Sequence, residues 1–416
     1  MIKKISTLTV CLMLCAKSSM GAGFALFEYS TSNLARGFAG MGVAGDDYSA
    51  IVANPAGMTL MGDGVQGGLS VINIRAEAEN ADDASQNAKV DIVSPVPFLF
   101  AQTSLSDKAK FGAAFYIPYG LGTEYDDDWY GRNHALMSEV VVYDLTFSGS
   151  YDLTDKFTVG ASLSTQYATA ELTNYADAPL DVNSDGVIDV LVPSMLHSEI
   201  EGDSDVSLAY TLGLLYRPTE DTRFGLSYRS KSHYDLEGSH ELTYNTNPIS
   251  LPVGAVYAEG DAKASITLPE HILLSAYHKI GKFGLAAGAK WTRWSRFKNL
   301  DVYSDVNGLN RTEENWKNTW SYSLGMDYDL NEKWVLRTGV QYDETGIPNS
   351  NHRTARIPDN DRIITGLGAS YKFDGGQVDM AYAHIFLDDN YANYEGLNSD
   401  YSMAVDMISV ALQYHF

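Results

Sequence analysis

The stretch SYSLGMDYDL at residues 321–330 alternates apolar and polar side chains with a period of two. In an extended strand its tyrosines, leucines and Met326 would face one side, and its serines, glycine and aspartates would face the other. The stretch ISVALQYHF at residues 408–416 repeats the pattern. Lipid outside and a polar lumen inside produce this alternation in membrane-spanning β-barrels. The two stretches therefore favour an all-β barrel.

A soluble β-sandwich also alternates, with its apolar face turned inward. Two features favour the barrel over a secreted globular domain. The alternating segments run roughly 10–20 residues, whereas strands in globular proteins average ~5–6. The aromatic residues (27 Tyr, 6 Trp and 15 Phe) cluster near the segment ends, as the interfacial girdles of a transmembrane barrel would.

Short polar links give an independent count of strands. Six of them separate long strand-like runs: Ser106-Asp107-Lys108, Thr154-Asp155-Lys156, Thr219-Glu220-Asp221, Gly281-Lys282, Asn331-Glu332-Lys333 and Asp374-Gly375-Gly376. Longer connections alternate with them, for instance at 122–139, 175–203, 242–260 and 345–361. Short turns at one end and long loops at the other are typical of outer-membrane barrels. Six short turns join seven hairpins, which predicts fourteen antiparallel strands.

The N-terminus predicts export. Lys3 and Lys4 precede the apolar run LTVCLMLCA at 8–16, and small residues follow, which is the pattern of a secretory signal peptide. We place the signal at residues 1–21 and the mature start at Ala22. The run is too short for a membrane anchor, which needs roughly 20 apolar residues. Cys11 and Cys15 both lie in the signal, so the mature chain would lack disulfides, thiolate metal sites and cysteine nucleophiles.

The net charge of −24 argues against nucleic acid as a partner. It suits outer loops that meet divalent cations at a lipopolysaccharide surface, with outer-membrane lipid around the barrel. The chain ends in Phe416 on the apolar face, as the signal read by the barrel-assembly machinery usually does. We therefore expect a multi-pass protein of the Gram-negative outer membrane.

Residues 22–62 break the alternation and are rich in Gly, Ala and Ser. Barrel diameter grows with strand number, so fourteen strands would leave an open lumen unless something fills it. We expect residues 22–62 to form an N-terminal hatch, or plug, inside a barrel of residues 63–416. An open porin would instead need a constricting loop and no hatch.

The third predicted strand, from Phe111 to Gly120, contains Pro118 among apolar residues. Proline cannot donate a ladder hydrogen bond, so it is confined to edges, bulges or interruptions. A closed barrel has no edge. Pro118 therefore predicts a local break in the wall.

Several short motifs occur in order along the chain. They are AGF at 22–24, NPAGM at 54–58, LPE at 268–270, WTRWSRF at 291–297, WVLRTG at 334–339 and IPDNDR at 357–362. Together they resemble the FadL-type long-chain fatty acid transporters, including the TodX-like channels for hydrophobic compounds, and the resemblance spans Ala22 to Phe416. It implies a fourteen-stranded barrel closed by an N-terminal hatch.

The resemblance also implies a route and residues for it. A hydrophobic ligand would be captured among the outer loops, enter an apolar pocket against the hatch, and leave through a lateral window at a kink in the third strand. Phe24 would be the hatch aromatic in the pocket, and Asn54-Pro55-Ala56 the hatch motif. Pro118 and Gly120 fall at the expected kink. The implied protein is not an enzyme and requires no cofactor.

The chain departs from the family pattern of basic pocket residues, which bears on the class of ligand. Thr169 and Asn174 stand near where arginines would be expected. Arg311 and Lys317 remain as candidate cations, although Lys317 could equally be a solvated loop charge. A carboxylate without a cation in a dry pocket is costly. Long-chain fatty acids are the first expectation, and neutral or aromatic hydrocarbons are the alternative.

A possible calcium loop lies at 181–189. Asp181, Asn183, Asp185, the carbonyl of Val187 and Asp189 occupy ligand positions around a glycine, as at the start of a calcium-binding loop. The acid of position 12 is missing there, since that residue is Val192; Glu199, Glu201 or Asp203 could replace it. The alternative is a soluble turn cluster.

An outer-membrane hydrolase is the third candidate class. It would need a nucleophile, a base and an orienting group close together. The nine histidines are scattered along the chain, and none belongs to a recognisable nucleophile motif.

Overall fold

The structure, a computed structural model, describes residues 23–180, 188–245 and 253–416. Within these ranges twenty strands form one antiparallel sheet. The strands are β1 (Gly64–Asn80), β2 (Asn87–Ser106), β3 (Ala109–Glu124), β4 (Met137–Asp152), β5 (Phe157–Leu180), β6 (Val190–Ser204), β7 (Ser207–Tyr216), β8 (Thr222–Arg229), β9 (Ser232–Tyr244), β10 (Val256–Leu268), β11 (His271–Ile280), β12 (Phe283–Thr292), β13 (Asn299–Ser304), β14 (Gly308–Glu313), β15 (Thr319–Asp329), β16 (Trp334–Asp343), β17 (Arg362–Phe373), β18 (Gly376–Leu387), β19 (Asn390–Tyr394) and β20 (Leu397–His415).

The sheet closes on itself because β20 pairs with β1, from Gly64 opposite His415 to Asn80 opposite Ser399. Six of the barrel strands are interrupted, and each of them consists of two successive shorter strands: β6–β7, β8–β9, β10–β11, β12–β13, β14–β15 and β18–β19. Counting each pair as one reduces the twenty strands to fourteen. The result is a closed fourteen-stranded antiparallel barrel. The strand count predicted from the turns is confirmed.

The six short links also lie at turns between paired strands. The prediction of long loops at 175–203 and 242–260 is wrong in extent, because β5 continues to Leu180 and β6 starts at Val190, while β9 continues to Tyr244 and β10 starts at Val256. The alternation weakens there because the strands rise above the apolar band and carry polar residues on their outer face. Periodicity alone does not recognise such strands.

The break between β6 and β7 marks a change in the outer face of the wall. Below the β6–β7 break, Leu208, Tyr210 and Leu212 are 60%, 46% and 51% exposed. Above it, the exposed residues are acidic, such as Glu201 and Asp203. An apolar band exposed in this way is stable against lipid and costly in water. No helix among the described residues is long and apolar enough to cross a membrane.

Residues 23–62, here called the hatch segment, lie inside the barrel. They contain α1 (Thr31–Ala35), α2 (Ala50–Ala53) and a 3-10 helix (Pro55–Leu60). The helices are too short to be stable alone, and wall hydroxyls satisfy their free carbonyls. Ser148 Oγ donates to the Ile51 carbonyl at 2.7 Å, and Ser227 Oγ donates to the Ala53 carbonyl at 2.7 Å.

Inward glycines let the hatch segment approach the wall closely. A Cβ at Gly339 would lie 1.9 Å from the Arg36 carbonyl oxygen, and one at Gly366 would lie 2.2 Å from the Leu34 carbonyl oxygen. Only a residue without a side chain fits at such contacts. The luminal glycines in β16 and β17 therefore lie where the hatch segment packs against the wall.

A buried ion-pair network ties the hatch segment to the wall. Arg36 Nη1 lies 2.7 Å from Asp46 and 3.1 Å from Asp327 of β15. Arg337 of β16 lies 2.8 Å from Asp46 and 3.6 Å from Asp379 of β18. Charges buried in this way are tolerated only when paired, so the network holds this part of the hatch segment in place.

Candidate ligand-binding site

The pairing of β3 with β2 stops halfway along the wall. Their register runs from Ser106 opposite Ala109 to Leu99 opposite Phe115. Above that point β2 continues up to Asn87 against β1, and β3 continues against β4 with a shift in register between Tyr116 and Tyr119. The upper edges of β2 and β3 are thus not paired with each other. Pro118 lies within the register shift.

The start of the hatch segment covers the freed edge of β3. Leu26 donates its backbone N–H to the Pro118 carbonyl at 2.8 Å, and Gly120 donates its N–H to the Phe24 carbonyl at 2.9 Å. Ala25 forms an isolated antiparallel bridge with Tyr119. Backbone groups on an open edge need partners, and a short piece of the hatch segment supplies them here.

Phe24 lies in an aromatic box formed with Tyr119, Trp294, Phe297 and Trp316. The distances from its ring centroid are 5.2 Å to Trp294, 5.7 Å to Phe297, 6.0 Å to Trp316 and 6.3 Å to Tyr119. These are ordinary edge-to-face and tilted aromatic contacts. Phe24 is 2% exposed, so its ring closes the space beneath the outer half of the barrel.

Above the box lies a cavity of about 70 Å³ with almost entirely apolar walls, here called the apolar cavity. Strands and loops from around the outer half of the barrel contribute to it. The inward-facing lining residues include Phe24, Leu121, Val140, Leu172, Ile200, Leu236, Ile266, Phe297, Val302 and Ile357. Such a surface binds apolar ligands, with any polar lining group setting orientation.

Five residues with charged side chains line the apolar cavity, and three of them, Glu201, Glu237 and Lys263, are exposed. The other two, Arg356 and Glu314, are the charged lining residues suited to a polar head group. Arg356, in the loop between β16 and β17, donates from Nη1 to Ser138 Oγ at 2.8 Å and to the Met137 carbonyl at 3.2 Å. Its Nη2 lies 3.5 Å from Asn174 Oδ1. Among the described residues, no carboxylate oxygen lies within 4 Å of its guanidinium. Burial lowers the pKa of Arg356 to about 10, so it remains a cation at neutral pH.

Glu314 is the acidic lining residue, in the break between β14 and β15. It is 2% exposed and accepts a hydrogen bond from Trp316 Nε1 at 2.8 Å. Burial raises the pKa of Glu314 to about 7, against the opposing effects of the Trp316 hydrogen bond and the Arg356 charge. Because burial raises the pKa of this carboxyl toward neutrality, the net charge facing a ligand is expected to change with pH in that range.

The loop between β16 and β17 also contacts the start of the hatch segment. Gly23 donates its N–H to Asp359 Oδ2 at 3.1 Å, and Thr345 donates to the same oxygen at 2.9 Å. Asp359 is 1% exposed. Burial raises its pKa, and the Arg362 charge opposes that rise.

The motif Asn54-Pro55-Ala56 lies far from the cavity, where the hatch segment meets β7. Asn54 Oδ1 accepts from the Ala56 N–H at 3.2 Å, and Asn54 Nδ2 donates to the Leu214 carbonyl at 3.2 Å. Pro55 occupies the first position of the 3-10 helix, where its missing donor costs nothing. The motif therefore caps this helix and attaches it to the wall.

The structure places the predicted site residues in separate groups. Phe24, Pro118 and Gly120 come together at the box and the β3 interruption. Arg311 lies on the exposed β13–β14 hairpin, paired with Asp301 at 2.7 Å, and Lys317 is exposed. Neither residue lines the apolar cavity. Sequence reasoning missed Arg356 and Glu314; the position of Arg356 directly before the IPDNDR motif was the available signal.

The calcium prediction concerns Asp181, Asn183, Asp185 and Val187, which lie outside the described residues, as does the predicted signal peptide. Asp189 lies within them. Among the described residues no group of three or more His, Cys, Asp or Glu could hold a metal ion. Calcium at this loop therefore stays a prediction.

A closed transmembrane barrel with an internal segment and an apolar luminal cavity defines an outer-membrane channel for hydrophobic compounds. The chain belongs to the outer membrane protein transport protein (OMPP1/FadL/TodX) family, whose model matches residues 12–416. It is accordingly an outer-membrane transport protein for hydrophobic compounds and not an enzyme.

Individual relatives are similar over nearly the whole chain. A long-chain fatty acid transport protein of Escherichia coli O6:H1 is 28% identical over 91% of this chain and 90% of its own length. Outer membrane protein P1 of Haemophilus influenzae is 27% identical over 91% and 89%. Two crystal structures share the fold. A Pseudomonas aeruginosa FadL homologue has a TM-score of 0.82 at 23% identity, covering 94% of this chain and 99% of its own. The Pseudomonas putida toluene transporter TodX has a TM-score of 0.72 at 21% identity, with the same coverage.

Proposed function

We propose that this barrel takes up long-chain fatty acids from the outer face of the outer membrane. The observation that carries the proposal is an apolar cavity whose lining includes a cation, Arg356, without a carboxylate partner within 4 Å among the described residues. Part of an acyl chain would bury its methylenes against the apolar lining, because the cavity of about 70 Å³ is too small for the whole chain until the start of the hatch segment moves. Its carboxylate would supply the negative charge that Arg356 lacks.

The route follows from the neighbouring contacts. The start of the hatch segment separates the apolar cavity from the β3 interruption. It is held by the Ala25–Tyr119 bridge with its two backbone hydrogen bonds, by the Gly23–Asp359 hydrogen bond and by the aromatic box. These contacts are few, whereas the rest of the hatch segment is held by the buried ion pairs of Arg36 and Arg337. The start of the segment is therefore the part that moves to open the passage.

Exit through the wall avoids an aqueous lumen. An apolar solute gains free energy on passing directly from the cavity into hydrocarbon. The gap between the upper edges of β2 and β3 faces the membrane next to exposed Leu99, which is 57% exposed. Pro118 and Gly120 keep that edge from pairing with β2, and the hatch segment covers it in the closed state.

Uptake of neutral or aromatic hydrocarbons is the second candidate. The aromatic box and the modest volume of the apolar cavity favour it, and relatives include a toluene transporter. The two candidates differ in their need for the Arg356 charge. A general diffusion porin is disfavoured by residues 23–62 inside the lumen.

Uptake of oleate and of toluene by cells carrying wild type, R356M or R311M tests the ligand class. For a fatty acid transporter, R356M lowers oleate uptake at least fivefold and R311M, which removes an exposed cation, leaves it unchanged. Toluene uptake that exceeds oleate uptake and ignores Arg356 would favour the hydrocarbon candidate. Wild-type uptake of neither compound would overturn both.

A disulfide between A25C and Y119C tests the route. The two residues face each other across an isolated bridge, a separation suited to a disulfide. Oxidation should stop oleate uptake, and reduction should restore it. The control pair L69C and V410C, opposite each other in the closed β1–β20 seam, should not respond. Equal uptake by the oxidised and reduced A25C/Y119C protein would rule out movement of this segment as the gate.

A further inference from the structure

A second cavity, here called the kink cavity, lies between the aromatic box and the β3 interruption. Its volume is about 30 Å³, enough for about one water molecule. Pro118 and Tyr119 of the interruption form one side, and Ala25 to Phe27 of the hatch segment form another. The opposite wall carries Arg229, His271, Lys290, Thr292 and Trp294. The kink cavity therefore lies between the aromatic box, which forms the floor of the apolar cavity, and the interruption.

Lys290 of β12 is the unusual lining residue. It faces the lumen and is 8% exposed, and its Nζ lies 3.3 Å from the centroid of the Phe27 ring. Among the described residues no carboxylate oxygen lies within 4 Å of that Nζ. The acids whose charge reaches it, Asp343 and Glu28, are farther away. Arg229, by contrast, is neutralised by Asp144 at 2.6 Å.

A lysine buried without a carboxylate is costly, and its contact with the Phe27 ring compensates only in part. Ionisable residues at membrane depth that face an internal space commonly mark the path of a substrate. With the Arg229–Asp144 pair neutral, Lys290 gives the kink cavity a local positive charge directly beside the wall interruption.

We propose that Lys290 is a second carboxylate-binding station on the transport path, occupied after Arg356 and before exit through the wall. The proposal rests on the proposed uptake of fatty acids and deepens it. The Phe27 ring covers Nζ in the closed state. Withdrawal of residues 24–27 would therefore widen the kink cavity and uncover the cation in the same movement.

The station has a clear physical role. Without Lys290, a carboxylate leaving Arg356 would cross a narrow passage whose other cation, Arg229, is already paired with Asp144. The missing counter-ion would raise the barrier for the charged ligand alone. Lys290 would lower that barrier. A neutral ligand of the same length gains nothing from it, so Lys290 would select acids over alcohols and hydrocarbons kinetically.

The test compares oleate with oleyl alcohol, which has the same chain and no charge, in the full-length barrel reconstituted in lipid vesicles. The variants are K290M, K290R and the control K282M, whose lysine lies in the exposed β11–β12 turn. We expect K290M to lower the oleate uptake rate at least fivefold, to leave oleyl alcohol uptake unchanged, and to change equilibrium oleate affinity less than twofold. K290R should retain oleate uptake, and K282M should match wild type.

Other outcomes would overturn the inference in distinguishable ways. Equal oleate uptake by K290M and wild type would show that no anion station is needed. An equal change in the uptake rates of oleate and oleyl alcohol would mean that Lys290 only holds the hatch segment in place through its contact with Phe27. The variant K290M is also combined with A25C. Faster labelling of A25C by an impermeant maleimide in this double variant would show that the hatch segment has detached. Failure of wild type to transport oleate would instead reject the proposed function itself.

Discussion

Gly23 donates its backbone N–H to Oδ2 of Asp359 at 3.1 Å, joining the start of the hatch segment to the loop between β16 and β17. The same loop carries Arg356, which lines the apolar cavity. A ligand that shifts this loop when it binds Arg356 would therefore act on the hydrogen bond that retains the hatch segment. Under the proposed uptake route, this contact would couple capture of a ligand to opening of its exit.

Removal of the Asp359 carboxylate should loosen the start of the hatch segment. In D359A the Gly23 N–H and the Thr345 hydroxyl lose their acceptor, at a cost of about 1–3 kcal/mol for buried donors. Reaction of A25C with an impermeant maleimide should accelerate roughly tenfold, since 1.4 kcal/mol is a factor of ten. The control D361A removes a neighbouring carboxylate bonded to Thr345 N–H and Tyr342 and should have little effect. Equal labelling of both variants would contradict the assignment.

A methyl group at Gly23 should expel the same segment. Gly23 has a φ of +64°, and a Cβ there would lie 2.4 Å from the Trp316 ring. G23A therefore combines backbone strain with a clash, costing roughly 1–3 kcal/mol or more. Planar-bilayer recordings should show more frequent ion-conducting openings. The matched control is G62A, whose added methyl meets nothing within 4 Å; openings as frequent in G62A would show that the effect is not specific to the box.

Affinity for a permanently anionic ligand should fall as pH rises through about 7. The Glu314 carboxyl, whose pKa burial raises to about 7, is mostly protonated at pH 6 and mostly ionised at pH 8. Ionisation offsets the positive charge of Arg356, so binding of a hexadecyl sulfonate should weaken about five- to tenfold between these values. Calorimetric titration of E314Q should show a flat profile. A wild-type profile that is also flat would place the Glu314 titration outside this range.

Loss of Arg36 should destabilise the fixed part of the hatch segment. R36M leaves Asp46 and Asp327 with one arginine instead of two, and breaking a buried pair costs about 3–5 kcal/mol. The tryptophans of the aromatic box should report an early fluorescence transition in guanidinium. R75M removes an exposed pair with Asp406 and should cost at most about 1 kcal/mol. An unchanged transition in R36M would show that packing alone holds the segment.

Much of the barrel could be predicted because its signals are local. The alternation in SYSLGMDYDL reports two environments on the faces of one strand, and each short turn reports the end of a hairpin. Both signals are complete within a few residues, and the closed fourteen-stranded sheet confirms them. Pro118 also predicted the position of the wall interruption, because the missing backbone donor is a property of that one residue.

The strand segments above the membrane were harder to predict. β6 and β10 carry polar residues on the outer face where the barrel rises into water, and their alternation is weak. Extended pairing, rather than local pattern, makes them strands. That pairing is a relation between distant residues, such as Gly202 opposite Gly238.

The amino-acid sequence by itself determined the strand number, the turns, the segment that breaks the alternation and the place of the wall interruption. Only the tertiary structure decided which charges face a ligand. Arg311 and Lys317 were plausible cations in the sequence, yet one lies on an exposed hairpin and the other in solvent, while Arg356 and Lys290 line the cavities. The reason is physical: whether a cation is paired or free depends on carboxylates that the fold brings within 4 Å from far along the chain, and no local pattern encodes that distance.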